Sequence, residues 1–277
     1  MAVHKSIVLS DDFLTSEIIC SESEGFQFVG EVTEDAVMYK ILREVLFMLP
    51  MSSFCAYLPN PKLRFCLNLK QSIPWFRNRK MRQCLSDFTI AIRTHLRDDL
   101  EACAVYHEKR DGQEGWLSTP LIEALHNLSL KIAASRRSAA TTDDIYKCLQ
   151  LFSFSLIEKE TGRVAASTFG FASGGVFEDY SMCTLIKDKR SCGSVLNKVV
   201  GYILQQCGIT IWYWGYKVGY MTEYESHYSA GYIPRPAFYE EWQKVKDVEL
   251  KPFSQVMLPY GLEFSELPSE RVDIVSL

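Results

Sequence analysis

The chain has 277 residues, of which 47% are apolar and 23% charged, so it can bury a substantial core. Lys and Arg number 30 against 34 Asp and Glu, a net charge of −4 that excludes a globally basic protein. A nucleic-acid partner would therefore need a local basic patch. The 13% of aromatic residues excludes a disordered chain. No apolar run reaches the roughly 20 residues of a membrane helix.

The cysteines and the first residues indicate the compartment. The nine cysteines are odd in number, scattered, and never spaced as Cys-x-x-Cys. This argues against a zinc ribbon and against a secreted disulfide framework. The segment from Met1 to Glu17 lacks the apolar block of a signal peptide, and its acidic residues disfavour a mitochondrial leader. We therefore expect a cytoplasmic protein with reduced, mostly buried thiols.

The first half of the chain is predicted to alternate between helices and short apolar segments. Thr33 can cap one helix, and Thr119 followed by proline is a strong start for another. The predicted helices are 33–47, 94–105 and 119–135. An apolar run at 63–67 and a strand at 88–92 lie between them.

The second half gives the clearest sheet pattern. Turns at Gly162 and Gly174 separate three apolar strands, and a helix with apolar residues at helical spacing follows them. The predicted strands are 151–159, 163–172, 176–185 and 209–214, and a last helix covers 234–244. A meander that feeds a helix and then a further strand favours an α+β domain over a doubly wound sheet.

Motif searches on the residues alone find little chemistry. The five histidines are not spaced with another His, Cys or acid as metal ligands require, so surface or core positions are expected for them: His4, His95, His107, His126 and His227. No phosphate-binding loop, nucleophile elbow or dinucleotide fingerprint occurs.

Several short segments follow one another in a meaningful order. They are Val29–Val32, Pro59–Lys62, Gly115–Leu117, Glu123–Ala124, Ser167–Gly170, Gly174–Phe177, Ser181–Met182 and Ile233–Arg235. In order and approximate spacing they resemble the leucyl/phenylalanyl-tRNA–protein transferase family. The resemblance implies an α+β fold: an acetyltransferase-like (GNAT) domain over 71–277, with a mixed, mostly antiparallel sheet flanked by helices. A small α+β domain over 1–70 would precede it.

The resemblance also implies an activity. Family members take leucine or phenylalanine from a charged tRNA and place it on the N-terminal arginine or lysine of a protein, which marks that protein for degradation. The expected partners are an aminoacyl-tRNA and an acceptor N-terminus, and no membrane. The ester of the charged tRNA is already activated, so the enzyme must position two reactants and move a proton, without metal or cofactor.

Three sets of binding residues follow from the resemblance. Trp116, with Tyr57 as a second candidate, would stack the terminal adenosine, which is worth about 1–3 kcal/mol. The aminoacyl side chain would lie in an apolar pocket, although an ordinary core is the alternative for these residues: Phe177, Met182, Leu196, Val199, Ile203 and Ile211. A basic stretch would hold acceptor-stem phosphates or form only a solvated face: Arg77, Arg79, Lys80 and Arg82.

The catalytic pattern departs from that of the family. An acid and an amide steer the proton in the family, whereas this chain has Trp212 and Trp214, which cannot accept one from an ammonium group. Tyr180 replaces a glutamate before Ser-Met. The chain is therefore either a diverged transferase or an inactive member that serves as a binding or structural module in a larger assembly.

The two hypotheses predict different geometries. A diverged transferase requires an open cleft with a carboxylate in it, and the candidate acids are Glu178, Asp179, Glu223 and Glu225. The segment 216–232 is rich in Tyr and also contains Lys and Met, and this composition is faintly similar to that of arginyl-tRNA–protein transferases. An inactive module predicts a cleft plugged by Trp212 and Trp214, whose rings should project to one side because alternate strand residues share a face.

Overall fold

The computed structural model describes residues 8–9, 19–20, 24–29, 33–52, 55–111, 115–137, 148–217 and 221–265. The strands in these ranges are β1 (Val8–Leu9), β2 (Gly25–Val29), β3 (Leu49–Ser52), β4 (Cys55–Pro59), β5 (Leu63–Asn68), β6 (Phe88–Arg93), β7 (Leu149–Glu158), β8 (Val164–Ser173), β9 (Val176–Thr184), β10 (Ile211–Tyr213), β11 (Gly231–Pro234) and β12 (Glu263–Phe264). The helices are α1 (Asp35–Arg43), α2 (Arg79–Cys84), α3 (Arg97–Asp111), α4 (Thr119–Arg137), α5 (Cys192–Cys207), α6 (Thr222–Tyr228) and α7 (Arg235–Val245).

The described strands form two sheets. The smaller has the order β1-β2-β4-β3, and the larger has the order β11-β5-β10-β9-β8-β7-β6-β12. In the larger sheet β9 pairs with β10, and β6 with β12, in parallel, and the other neighbours are antiparallel. β5 precedes residue 70, where we expect a domain boundary, yet it belongs to the larger sheet. The division of the chain there stays a prediction.

The connectivity of the larger sheet defines the fold class. β6 is followed by α3 and α4, then by the antiparallel meander β7-β8-β9, and α5 crosses over to β10, which lies parallel to β9. Helices α3 and α4 contact one side of the meander region, and α5 also packs on it. This order and the mostly antiparallel sheet confirm the predicted α+β, acetyltransferase-like fold.

Burial explains why the central strands are so apolar. Almost every residue of β7 and β8 is buried, because helices cover the sheet and leave neither face of these strands to solvent. One cluster of buried side chains includes residues of α1, α4 and α7, and a second includes the apolar stripe of α5. Continuous apolar runs rather than strict alternation are expected for strands in such a position.

Several predicted elements differ from the structure at their ends. α4 begins at Thr119 as predicted, but α1 follows Glu34, which makes no side-chain capping bond, so the predicted cap at Thr33 is wrong. α3 begins and ends later than the predicted helix over 94–105. The sequence did not reveal β11, which is short and half exposed. Among the described helices, none is long and apolar enough to cross a bilayer.

Candidate functional site

A cleft opens where two parallel strands diverge. β9 and β10 pair only from Val176 to Glu178 and from Ile211 to Tyr213. Beyond Tyr213 the chain stays on β5, where Trp214 N donates to Phe65 O at 3.1 Å, whereas β9 continues to Thr184 paired only with β8. The gap between them is part of a cavity of about 500 Å³. A concave site of this size is suited to a small-molecule group or the end of a chain.

Five segments supply most of the walls of this cleft. β9 contributes its residues from Glu178 to Met182, and the segment after β10 contributes Trp214 to Tyr216. α3 contributes His107 and Arg110, α5 contributes Asn197, and α6 contributes Tyr224. The cleft is therefore built by the last strand of the meander together with α3, the crossover helix α5 and the chain that follows β10.

Two carboxyl groups in the wall have raised pKa values. Burial raises the pKa of Glu178 to about 8 and that of Asp179 to about 6. Thr168 Oγ1 donates to Asp179 Oδ1 at 2.6 Å and opposes the rise. The indole of Trp214 also lowers the Asp179 pKa, by a smaller amount than Thr168 does. Trp212 Nε1 has no hydrogen-bond partner among the described residues, so we assign the lowering to Thr168 and Trp214. A carboxylate that titrates near neutrality in a cleft is suited to general-base work.

A buried arginine, Arg64, acts on the Glu178 carboxyl group. Arg64 is 0% exposed, and its positive charge partly offsets the effect of burial on the Glu178 pKa. Its guanidinium donates at 3.0 Å to each of three oxygens: Val45 O, Asn60 Oδ1 and Tyr239 Oη. It also lies over the rings of Tyr213, Phe238 and Tyr239. These contacts fix a buried positive charge that acts on the Glu178 carboxyl group without lining the cleft.

A histidine and a serine meet in the same cleft. His107 Nε2 lies 2.8 Å from Ser181 Oγ, and both residues line the cavity. The pair could not be recognised in the sequence because the two residues are 74 positions apart and belong to no motif. The available signal was Ser181 on the strand that also carries the two acids, but nothing in the sequence shows which histidine reaches it.

The two aromatic candidates for the adenosine lie in different places. Trp116 lines the cleft, where its ring packs against Phe47 at 5.1 Å and Tyr180 at 5.3 Å between centroids. Tyr57 is 39% exposed and covers Gly25 on the neighbouring strand, and it is not among the cleft residues. The structure therefore brings Trp116, and not Tyr57, to the carboxyl groups.

The predicted apolar pocket is mostly core. Met182 lines the cleft. The other five side chains are buried away from it: Phe177, Leu196, Val199, Ile203 and Ile211. Four of these belong to the cluster around α5, whose apolar stripe packs on the sheet, so the alternative of an ordinary core describes their position. The apolar lining near the carboxyls comes instead from Phe47, Leu49 and Met221.

The acids of α6 do not line the main cleft. Glu223 lines an adjoining cavity of about 780 Å³ at the start of α5. Glu225 Oε2 accepts from Lys217 Nζ at 2.5 Å and lines neither cavity. The two cavities share Arg110, Met182, Asn197 and Tyr224, so they form one continuous depression.

The tryptophans that replace the family's acid and amide leave the cleft open. Their ring centroids are 4.7 Å apart, as residues on one face of a strand require. Trp212 is 2% exposed, with Trp75 and α5 beside it, whereas Trp214 lines the cleft. Glu178 and Asp179 face the same space. This is the geometry that the diverged-transferase hypothesis requires.

The basic stretch lies outside the cleft. Arg77, Arg79 and Lys80 are exposed at the start of α2. Arg82 turns back to donate to Phe76 O and Arg77 O at 2.8 and 2.9 Å. None of the four lines either of the two cavities described above. Arg77, Arg79 and Lys80 are therefore exposed where an extended partner could bind. The hydrogen bonds of Arg82 to Phe76 O and Arg77 O order the backbone just before α2.

Comparisons with known proteins identify no family. No protein-family model and no curated protein matches the sequence. A tandem GNAT protein from the clavulanic acid biosynthesis pathway, solved without acetyl-CoA, has 8% identity and a TM-score of 0.35, covering 77% of this chain and 62% of that chain. FemX has 8% identity and a TM-score of 0.42, covering 79% and 74%. The chain spans less than two thirds of the tandem protein.

Proposed function

We propose that this chain is an aminoacyltransferase that moves leucine or phenylalanine from a charged tRNA to the N-terminal amine of a protein in the cytoplasm. The observation that carries the proposal is the open cleft between β9 and β10 with the Asp179 and Glu178 carboxyls in its wall. An inactive binding module does not require two carboxyl groups with pKa values near neutral pH beside a cavity. The new N-terminus would mark the acceptor for degradation, as the sequence resemblance implies.

Trp116 supplies the donor side of the proposed site. Its ring lies at the cleft wall beside Tyr180, where a purine can stack on it at the same end of the cavity as the carboxyls. Met182 and Met221 offer adaptable apolar surface for a leucine or phenylalanine side chain. Arg77, Arg79 and Lys80 would meet tRNA phosphates outside the cleft.

Asp179 is the proposed proton acceptor. Its pKa of about 6 leaves it ionised at neutral pH, whereas Glu178, with a pKa of about 8, is mostly protonated there. An incoming α-ammonium group has a pKa of about 8 and can pass a proton to Asp179 before the amine attacks the ester carbonyl. The amide bond forms as the bond from the carbonyl carbon to the tRNA ribose oxygen breaks, and that oxygen takes a proton.

The direct test is transfer of a labelled amino acid. The protein is incubated with tRNA charged with labelled leucine or phenylalanine and with peptides that begin with arginine, lysine or methionine. We expect label on the arginine and lysine peptides, lost in Asp179→Asn and kept in Glu225→Gln, whose carboxyl lies outside the cleft. Tight binding of charged tRNA with no transfer to any peptide would reject the enzyme and favour the binding module.

A further inference from the structure

The Ser181–His107 pair has the geometry of an activated nucleophile. A hydroxyl attacks a carbonyl when a neighbouring base takes its proton, and such pairs stand at hydrogen-bond distance. Ser181 Oγ and His107 Nε2 are 2.8 Å apart, and both line the cavity that holds the two carboxyls. The direct route through Asp179 uses neither of them.

We propose that Ser181 is a covalent nucleophile and His107 its base, so that transfer proceeds through an acyl-serine intermediate. The proposal rests on the proposed function, since the donor is the activated ester of that reaction. It replaces direct attack by the amine with two successive displacements at the same carbonyl carbon.

Each displacement balances without a further reactant. In the first, Ser181 Oγ bonds to the ester carbonyl carbon while its proton passes to His107 Nε2. The bond from that carbon to the ribose oxygen breaks, and His107 returns the proton to the leaving oxygen. In the second, the acceptor ammonium group first gives one proton to Asp179. The amine then bonds to the acyl carbon and passes a second proton to His107 Nε2, and His107 delivers that proton to Ser181 Oγ as the bond from the acyl carbon to Oγ breaks.

The strand geometry provides for the charge that develops on the carbonyl oxygen. Alternate residues of an antiparallel strand direct N–H and C=O groups to the same neighbour. Beyond Glu178, β9 pairs with β8 but no longer with β10, so its groups that face away from β8 point into the gap. Backbone N–H groups next to the nucleophile are the donors that acyl-transfer sites use for an oxyanion.

The pair can be tested without any donor or acceptor. The protein is treated with phenylmethylsulfonyl fluoride, and the modified residue is located by peptide mass mapping. We expect a sulfonyl adduct on Ser181, none at that position in Ser181→Ala, and labelling slowed about 100-fold in His107→Gln, the usual size of general-base assistance. Ser226→Ala, which removes an exposed hydroxyl on α6, is the matched control and should label as the wild type does.

A second measurement separates this proposal from the proposed function. With charged tRNA and no acceptor, we expect a mass increase of one aminoacyl group on Ser181 that hydroxylamine removes. Ser181→Cys should keep a covalent adduct, now as a thioester, which excludes loss of fold as the cause of the Ser181→Ala result. Transfer that continues unchanged in Ser181→Ala would reject the nucleophile and leave the transferase standing. Labelling of Ser181 by the sulfonyl fluoride without any aminoacyl transfer would support the pair and reject the transferase.

Discussion

The hydroxyl of Tyr180 donates to Met48 O at 2.9 Å and accepts from Met48 N at 3.1 Å, so one side chain satisfies both backbone groups of that residue. Met48 precedes β3 of the smaller sheet, whereas Tyr180 lies on β9 in the wall of the cleft. The register between β8 and β9 shifts at this point, since Gly170 pairs with Asp179 and Phe169 with Ser181. The smaller sheet is thereby attached to the irregular part of the strand that carries the site.

Tyr180→Phe should destabilise the protein without removing apolar surface. The buried N–H and C=O of Met48 lose their shared partner, and an unsatisfied buried group costs about 1–3 kcal/mol. We expect a fall of that size in the free energy of unfolding, measured by urea denaturation. Tyr232→Phe, at an exposed tyrosine of β11, is the control. Equal stabilities of the two variants would show that the Tyr180 hydroxyl contributes nothing.

Trp116→Ala should weaken binding of a donor analogue such as an aminoacyl-adenosine. The expected loss is about 1–3 kcal/mol, the usual worth of a base stacked on an aromatic ring. Isothermal titration calorimetry gives the affinity, and circular dichroism shows whether the fold is kept. Tyr57→Ala should leave the affinity unchanged because Tyr57 lies outside the cleft. If Tyr57→Ala weakened binding and Trp116→Ala did not, the assignment of the two rings would be reversed.

Glu178 should make the protein less stable as pH rises. Its pKa in the fold is about 8, against an ordinary value of 4.5, so the folded state holds this proton more tightly than the unfolded state. The stabilisation is complete below pH 4.5 and is lost as pH rises through about 8. One pKa unit corresponds to about 1.4 kcal/mol, so a loss of a few kcal/mol is expected across this range.

Glu178→Gln tests this prediction because it keeps the shape of the side chain and removes the proton equilibrium. Urea denaturation from pH 5 to pH 8.5 should give a smaller fall in the free energy of unfolding for the variant than for the wild type. Parallel pH dependences would show that Glu178 is not held protonated by the fold.

The meander was predictable because local signals agree there. Gly162 and Gly174 have positive φ values of 69° and 56° at the two turns, a conformation that glycine adopts without strain, and the three strands that these turns connect are rich in apolar residues. Without such turns, β2, β4 and β11 went unrecognised. The end of α1 was also missed, since Val45 adopts a φ of 55°, which no sequence pattern predicts for a β-branched residue.

The sequence predicted only those site residues that lie in or next to the short segments of the resemblance. Asp179, Glu178, Met182 and Trp116 reach the cleft through segments that the resemblance singled out. The apolar residues of α5 were assigned to the pocket from the resemblance, and their helical spacing fits an ordinary core position equally well. Contacts between distant segments, such as His107 with Ser181, depend on the tertiary fold and leave no pattern in one sequence.

Reversing the charge of Arg77, Arg79 and Lys80 together should weaken tRNA binding and flatten its salt dependence. When a phosphate contact is lost, tRNA binding releases fewer counterions. The slope of log K against log salt then becomes shallower by roughly one unit or less for each lost contact. Filter binding at several salt concentrations measures both quantities. Arg163→Glu, exposed next to the turn between β7 and β8, shows the effect of one reversed charge elsewhere on the surface, to be compared with Arg79→Glu alone. A slope identical to that of the wild type would leave the stretch as a solvated face.

The acidic side, or limb, of the pH profile of kcat/KM for transfer should follow the pKa of Asp179. We expect kcat/KM to rise through about pH 6 as the carboxylate ionises. Thr168→Val removes the hydrogen bond that lowers this pKa most, so the limb should move to higher pH, and Trp214→Phe should move it in the same direction. Glu225→Gln should leave it in place. A limb that is unmoved in Thr168→Val would mean that a group other than Asp179 is the base.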